Sequence, residues 1–339
     1  MKRLISLAFA LALILSLTAC GAPKMAQSSI FAMDTYMTLV AYGDKAQDAL
    51  AEAGRAINAL EQQLSRTREN SDVWCINHGG GQVDLTTARL VEQSFRFSDE
   101  TDGAFDITIA PLVDLWAINS DSPHVPTQAE IDALLPLVGV EHIHVDGDAV
   151  TLDKGCAIDL GGIAKGYASD RVAEIFAEHG IKSGTVSLGG NVYVCGKRPD
   201  GNPWNVAVQD PKGEGYACVL SLSDTFAVTS GGYQRFFTAE DGTVYQHIID
   251  PATGYPVQSD LLSVTVVCSN GTRADAYSTA LYVMGEEAAI RFWESRQGGD
   301  HAFEAVFITT DGRIVCTPGL TDQFVPQEDA SYEVQFLNR

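Results

Sequence analysis

The sequence predicts an α+β fold in which mixed sheets and packed helices form two fused lobes. Strand-like segments pair as hairpins around Asp-Gly turns, one over residues 143–152 and one over 305–316. Amphipathic helices lie between such segments. The clearest is Ala46–Leu64, where apolar residues recur every three or four positions. Hairpins mixed with helices favour an α+β fold over a doubly wound parallel sheet.

The remaining elements are predicted from local patterns. Helical spacing and helix-ending residues indicate helices at 86–101, 163–179, 272–283 and 286–296. Alternating or continuously apolar runs indicate strands at 30–42, 185–195, 204–209, 219–222, 226–229, 245–249 and 263–269. Gly180 closes the helix before it, because glycine adopts the left-handed conformation common at helix ends. Residues 120–126 are a loop and the expected edge of a lobe.

Residues 1–19 are predicted to be a lipoprotein signal peptide. Two basic residues precede an apolar run over 4–15, which is too short to span a bilayer comfortably. Residues 17–20, Leu-Thr-Ala-Cys, resemble the lipobox of bacterial lipoproteins, in which the cysteine, here Cys20, is lipidated and becomes the new N-terminus. The alternatives are an ordinary signal peptide with a chance cysteine, or a first membrane helix.

The domain organisation follows from this leader. We expect a lipidated tether over 20–29, a folded domain over 30–325 and a C-terminal tail over 326–339. A lipid anchor holds a protein at a membrane without a spanning helix. The predicted location is therefore the outer side of the cytoplasmic membrane, which is the periplasmic side in a two-membrane cell.

The charge balance excludes some partners. The chain has 22 basic and 44 acidic residues and a net charge of −22 at pH 7. This excess argues against a nucleic-acid partner and against an anionic membrane patch, so an anionic substrate needs a cation or a local basic group. The cysteines other than Cys20 lack zinc-ligand spacing. We expect buried, unpaired thiols, although export leaves a disulfide framework as the alternative.

Residues 274–280, Ala-Asp-Ala-Tyr-Ser-Thr-Ala, place three oxygen donors on one helical face. Asp275, Ser278 and Thr279 stand at i, i+3 and i+4. Oxygen donors suit a hard cation such as Mg²⁺, and the lack of His or Cys disfavours zinc. The alternative is that Asp275 only favours the dipole at the helix start, with hydroxyls that have no function.

Residues 158–166, Ile-Asp-Leu-Gly-Gly-Ile-Ala-Lys-Gly, form a glycine-rich turn that enters a helix. Gly161 and Gly162 let the backbone approach a ligand, and the following N–H groups favour a phosphate. Lys165 lies in the first turn, where a cation opposes the helix dipole, so a nearby anion explains it. The segment lacks the GK[ST] ending of a Walker A loop. A solvent-exposed lysine beside a packing glycine pair is the alternative.

The two motifs, residues 158–166 and 274–280, together predict a metal-assisted reaction on a diphosphate, at a nucleotide site between the lobes.

Further segments accompany these motifs in a fixed order. They are FAMDT at 31–35, TDGAFD at 101–106 followed by APL at 110–112, IDLGGIAKG at 158–166, SLGGN at 187–191, HIIDPATG at 247–254 and ADAYSTA at 274–280. Each is weak alone, but in this order they resemble the ApbE family of flavin transferases over roughly residues 30–322.

The resemblance implies an ApbE-like fold and an exported, often lipidated, Mg²⁺-dependent transferase. Such enzymes split FAD, attach FMN through a phosphoester to a Ser or Thr of an acceptor flavoprotein, and release AMP. It also implies that the acceptor is a subunit of a membrane redox complex.

Site residues are implied by the same resemblance. Mg²⁺ is expected on Asp275 and Thr279, on a main-chain oxygen near Gly162, and on Ser278 as a further contact. The residues expected at the FAD site are Met33, Gly103, Ala104, Phe105, Asp106, Asp159, Lys165, His247 and Ile248. Asp159 either orders the glycine-rich turn or contacts the nucleotide.

His247 is the predicted general base for the acceptor hydroxyl, because imidazole accepts a proton near neutral pH. A strand-end histidine with a satisfied hydrogen bond is the alternative. Thr67 stands where relatives commonly have an aromatic residue that holds the flavin. Either Trp74 compensates or the flavin ring is held more loosely. The alternatives to FMN transfer are an FAD diphosphatase, a lipoprotein that only binds flavin, and an electron-carrying flavoprotein.

Overall fold

A computed structural model describes residues 23–327 and 331–338. The helices are α1 (Ala46–Leu64), α2 (Asp72–Asn77), α3 (Leu85–Glu100), α4 (Ala110–Trp116), α5 (Gln128–Leu134), α6 (Ala164–Glu178), α7 (Gly271–Met284) and α8 (Glu286–Ser295). The strands are β1 (Met25–Ala32), β2 (Thr35–Tyr42), β3 (Gly81–Gln82), β4 (Ile143–Asp146), β5 (Ala149–Leu152), β6 (Ser183–Leu188), β7 (Asn191–Gly196), β8 (Trp204–Gln209), β9 (Tyr216–Leu222), β10 (Thr225–Gly231), β11 (Phe236–Thr238), β12 (Val244–Gln246), β13 (Leu261–Cys268), β14 (Glu304–Thr309), β15 (Arg313–Cys316), β16 (Phe324–Pro326) and β17 (Glu333–Phe336).

A nine-stranded sheet organises the molecule, in the order β1-β2-β6-β7-β10-β13-β14-β15-β17. Neighbouring strands are antiparallel except for the parallel pair β15–β17. In β14, Ala305 and Phe307 pack in the core with α1, α6 and α7, while Val306 and Ile308 pack in a second core with the small sheet β16-β9-β8. This alternation is the period of two expected of a strand buried on both faces. The α+β prediction is confirmed.

A smaller core forms the second lobe. Leu112 and Trp116 of α4 and Ile131 of α5 pack there with Ile249. Residues 120–126 form the predicted loop, but the helices α4 and α5 that they join both belong to this lobe, so the loop does not separate the two lobes.

The sequence patterns located the long helices well. The helix predicted at Ala46–Leu64 is α1, and the other four predicted helices end within one residue of α3, α6, α7 and α8. These helices are long enough for their apolar residues to repeat with the helical period, and that repeat identifies them in the sequence. The short helices α2, α4 and α5 were not predicted, since six or seven residues give too few repeats to establish a period.

Two predicted strands are each two strands. Residues 30–42 reverse direction at Met33 and Asp34, whose φ angles are 49° and 56°. Residues 185–195 reverse at Gly189 and Gly190. Positive φ at both central residues produces the tight hairpin turn. The strand predicted over 245–249 is also too long, because β12 ends at Gln246.

The predicted ends of the domain need correction. Strand β1 begins at Met25, within the segment predicted as a tether, and β17 belongs to the segment predicted as a tail. The signal peptide and Cys20 lie outside the described residues. Among the helices of the described residues, none is both long and apolar enough to cross a membrane. The remaining cysteines are unpaired, and all except the half-buried Cys75 are buried.

Candidate active site

A cleft of about 910 Å³ separates the small lobe from the main sheet. Most of the predicted site residues line it: Met33, Ala104, Phe105, Asp106, Asp159, Gly162, Lys165, His247, Ile248, Asp275 and Thr279. Gly103 and Ser278 are not among the residues that line it. Pockets for small ligands are typically about 300–1,000 Å³, so this cleft is large enough for a dinucleotide.

The glycine-rich turn and the Asp275 helix meet in this cleft. The Gly166 N–H donates to Asp275 Oδ2 at 2.8 Å, although the two residues are 109 positions apart. A Cβ added to Gly166 would lie 2.3 Å from the Gly271 carbonyl oxygen. Only glycine therefore lets α6 and α7 approach this closely, and the approach places Asp275 beside the turn.

Asp275 is a buried carboxylate, only 3% exposed. Burial raises the pKa of this carboxyl, whereas the charge of Lys165 and the hydrogen bond from the Gly166 N–H lower it. A buried carboxylate costs free energy unless it is paired or coordinates a metal. Asp275 is in no ion pair among the described residues. The site is therefore suited to an added cation.

Three hydroxyl groups lie together on and beside the helix that holds this carboxylate. Thr279 Oγ1 lies 3.2 Å from Ser230 Oγ, which also lies 2.8 Å from Ser278 Oγ. Ser278 donates to the Asp275 main-chain oxygen at 3.0 Å, so its hydroxyl is engaged within the protein behind the cleft surface. A Cβ added to Gly162 would lie 3.8 Å from Thr279 Oγ1. A carboxylate and a hydroxyl therefore lie in the cleft beside Gly162 of the glycine-rich turn, and such oxygen donors fit Mg²⁺.

No cluster of three or more His, Cys, Asp or Glu side chains suited to a metal occurs among the described residues. The candidate site has one carboxylate and otherwise neutral oxygens. Mg²⁺ usually keeps several waters and binds through one or two carboxylates plus substrate phosphates. Such a sparse protein contribution is compatible with that preference.

Asp159 orders the glycine-rich turn. Its Oδ1 accepts from the Gly161 N–H at 2.7 Å, and its Oδ2 pairs with Arg66 Nε at 2.9 Å. Arg66 also donates to Asp114 Oδ1 at 2.6 Å. Both carboxylate oxygens of Asp159 are therefore engaged within the protein. Lys165 Nζ donates to the Gly161 carbonyl at 3.1 Å, which holds its positive charge over the turn.

The loop after α3 supplies another part of the cleft wall. Phe105 is buried, its ring edge-on to Phe97 with centroids 6.2 Å apart. Asp106 Oδ1 accepts from the Thr108 N–H and hydroxyl at 2.7 and 2.6 Å, and burial raises the pKa of the Asp106 carboxyl. Gly103 has φ of 78° and makes the turn before this wall.

His247 faces the cleft from the end of β12. Its Nδ1 lies 3.3 Å from the Arg235 carbonyl, so Nδ1–H is the donor and Nε2 keeps its lone pair. Burial lowers the pKa of His247 to about 4, and the charges of Arg235 and Lys165 act in the same direction. The imidazole is therefore neutral at pH 7 and able to accept a proton.

Comparison with known proteins supplies the family. The model of the ApbE family matches residues 33–303. This chain belongs to the ApbE family.

Relatives and solved structures agree with this. The chain is 32% identical to a Treponema pallidum protein over 297 residues, 81% of each chain, and 33% identical to a Vibrio cholerae protein over 255 residues, 73% and 76% of the two chains. Both are named FAD:protein FMN transferase. The crystal structure of the ApbE protein of Thermotoga maritima superimposes with a TM-score of 0.79 at 31% identity, covering 86% of this chain and 96% of that one. The Vibrio cholerae flavin transferase ApbE has a TM-score of 0.76 at 28% identity, with 91% and 98% covered.

The cleft residues that the sequence of this ApbE protein did not predict include Arg66, Asn191, Ser230 and Arg235. Asn191 ends the SLGGN segment and Arg66 precedes Thr67, so both lie in or next to segments that carry the family resemblance. Ser230 and Arg235 gave no local signal, because their place in the cleft depends on strand pairing. Thr67 lines the cleft, but Trp74 does not, since its ring stacks on His78 with centroids 4.0 Å apart. The suggestion that Trp74 compensates for Thr67 is therefore not supported.

Proposed function

We propose that this protein transfers FMN from FAD to a Ser or Thr hydroxyl of an acceptor flavoprotein and releases AMP, with Mg²⁺ as its metal. The observation that carries the proposal is the contact between Asp275 and the glycine-rich turn inside the large cleft. Family membership and relatives named FAD:protein FMN transferase supply the chemistry that such a site would serve.

The proposed metal ligands are Asp275, Thr279 and the main-chain oxygen of Gly162. Mg²⁺ bound there would neutralise diphosphate charge and so favour departure of AMP. Ser278 is assigned a positioning role, because it does not line the cleft and its hydroxyl bonds to that of Ser230, which does. The cleft contains both acidic and basic side chains, so a bound cation also offsets the repulsion that an anionic nucleotide would meet.

The proposed FAD contacts follow the walls of the cleft. The N–H groups at the start of α6 and the Lys165 ammonium face the diphosphate, where a helix N-terminus favours an anion. Ala104, Phe105 and Met33 offer apolar surface, and Ile248 adds to it beside His247. Asp159 acts indirectly, by holding the turn in shape through the Gly161 N–H.

The proposed proton acceptor is His247 Nε2. The acceptor hydroxyl oxygen forms a bond to the FMN phosphorus, the bond from that phosphorus to the bridging oxygen breaks, and AMP leaves with the electron pair. The hydroxyl proton goes to Nε2. General base catalysis typically contributes about 10²- to 10⁴-fold, so we expect charge neutralisation and positioning to supply most of the rate.

The test is incubation of the chain with FAD, Mg²⁺ and an acceptor domain, followed by mass spectrometry for an FMN adduct and chromatography for AMP. Asp275→Asn should lower the transfer rate at least 10³-fold, because several kcal/mol of charge stabilisation are lost. His247→Ala should lower it about 10²-fold. The control is Asp99→Asn, which removes an exposed carboxylate from α3.

The outcomes separate the alternatives. AMP with free FMN and no adduct would identify an FAD diphosphatase, and flavin binding without AMP would identify a flavin-binding protein. Transfer at full rate in EDTA would rule out the Mg²⁺ requirement.

We also propose that Cys20 is lipidated, on the basis of residues 17–20. Intact-mass analysis of the mature protein tests this, and an unmodified Cys20 would contradict it.

A further inference from the structure

The β1–β2 hairpin presents an exposed aromatic pair. Phe31 and Tyr36 face each other across the two strands, with ring centroids 5.6 Å apart. Phe31 is 63% exposed and Tyr36 is 77% exposed. Large aromatic side chains carry much of the binding energy at protein interfaces, and adjacent exposed ones mark contact sites. We call Phe31 and Tyr36 the aromatic pair.

Within the described part of the chain, strand β1 is also an edge strand without a second partner. It is the outermost strand of the central sheet among the described residues and pairs with β2 over its full length without a bulge. Its sequence, MAQSSIFA, contains no charged residue and no proline. Proteins usually protect edge strands with charges, prolines or bulges, because free N–H and C=O groups attract another strand. The opposite edge, β17, has only four residues and begins with Glu333.

The hairpin leads directly to the candidate active site. Its turn residues Met33 and Asp34 line the cleft, immediately between the strands that hold the aromatic pair. Arg235 donates to the Asp34 carbonyl at 3.0 Å, and the Arg235 carbonyl lies against His247 Nδ1. A chain of contacts therefore joins the hairpin to the proposed base. A macromolecule lying on β1 would have one end at the mouth of the cleft.

We propose that the aromatic pair and the free edge of β1 form the docking surface for the acceptor protein. The occupant is an extended segment of the acceptor, which adds as a strand to β1 and places its Ser or Thr at the cleft. This inference rests on the proposed function, because FMN transfer requires a protein to reach the cleft from outside. Main-chain hydrogen bonds give affinity in such strand addition, and side-chain contacts give specificity.

The experiment measures transfer kinetics with the full-length protein and, as the probe, the acceptor domain modified by the Vibrio cholerae relative. Phe31→Ser combined with Tyr36→Ser should raise the KM for the acceptor at least 10-fold, with kcat and the FAD dissociation constant within twofold of wild type. Ser29→Lys, which places a charge on the edge strand, should have the same effect. Tyr216→Ser is the matched control, an aromatic residue 45% exposed at the start of β9, and it should change nothing.

An unchanged acceptor KM in both β1–β2 variants would overturn the proposal. A change in sedimentation with an unchanged KM would mean that the surface joins two copies of this chain, and it also overturns the proposal. The same holds for a loss of binding to phosphatidylglycerol-containing vesicles with an unchanged KM. If the wild-type protein itself forms no adduct, the proposed function fails first. The two failures are therefore distinguishable.

Discussion

Replacement of Gly166 by alanine tests the contact on which the site depends. A Cβ at this position would lie 2.3 Å from the Gly271 carbonyl oxygen and 2.6 Å from Asp275 Cβ. Ordinary van der Waals contact begins at 3.4 Å, so α6 and α7 must separate by roughly 1 Å, since packed interiors have no spare room. The obstacle includes backbone, which cannot move aside as a flexible side chain can.

The expected size of the effect follows from opposing contributions. Overpacking costs about 1–3 kcal/mol, and the hydrogen bond from Gly166 N–H to Asp275 is weakened as well. Alanine recovers about 0.5–1 kcal/mol through its better helix propensity. We expect a net loss of about 2 kcal/mol in the free energy of unfolding. Gly54 in α1 is the matched control, because a Cβ there meets nothing within 4 Å. Gly54→Ala should stabilise the protein by about 0.5–1 kcal/mol.

Urea unfolding followed by circular dichroism measures both free energies. FAD affinity, measured by flavin fluorescence in the presence of Mg²⁺, should fall in Gly166→Ala and stay constant in Gly54→Ala. If Gly166→Ala is as stable as the wild type, the two helices are not as close as described. In that case Asp275 does not lie beside the glycine-rich turn as described.

Three further predictions follow from the cleft. Gly162→Ala should lower FAD affinity, because its methyl group would face the site and lie 3.2 Å from Phe105 Cε2. Its free energy of unfolding should stay within about 0.5 kcal/mol of the wild-type value. A large loss of stability would contradict this. The part of the acid-induced loss of transfer rate that depends on His247 should appear near pH 4, because burial lowers the pKa of His247 to about 4 and the imidazole stays neutral above that value. A titration near pH 6.5 that disappears in His247→Ala would argue against that environment. Arg66→Lys should weaken FAD binding several-fold, because lysine cannot pair with Asp159 and Asp114 at once as the guanidinium does. It should lower the free energy of unfolding by about 1 kcal/mol or less. Isothermal calorimetry measures the first effect and urea unfolding the second.

The same lowered pKa affects folding stability. The unfolded state binds a proton on His247 near pH 6.5, whereas the folded state does so only near pH 4. The contribution of His247 to stability is therefore complete above pH 6.5 and is lost as the pH falls towards 4. Acid should destabilise the wild type more than His247→Ala over this interval, and unfolding curves at pH 7, 5.5 and 4.5 measure the difference.

The sequence by itself determined the features that depend on local spacing. Apolar repeats located α1 to the residue, and the i, i+3, i+4 spacing put Asp275, Ser278 and Thr279 on α7. The order of short segments indicated the family. These predictions succeeded because helix periodicity and motif order are properties of a contiguous stretch of chain.

Only the tertiary structure decided which side chains face the cleft. Ser278 shares a helix with Thr279 but does not line the cleft, because its hydroxyl donates to the Asp275 main-chain oxygen. Which of the two faces the cleft depends on how β10 packs on α7. The sequence left two roles open for Asp159. In the structure Arg66, which is distant in the chain, pairs with the second carboxylate oxygen of Asp159. The turn at Met33 and Asp34 contains no glycine, although both residues adopt positive φ, so the local sequence does not indicate it. Contacts between segments far apart in the chain follow from packing and strand pairing, and no local pattern contains them.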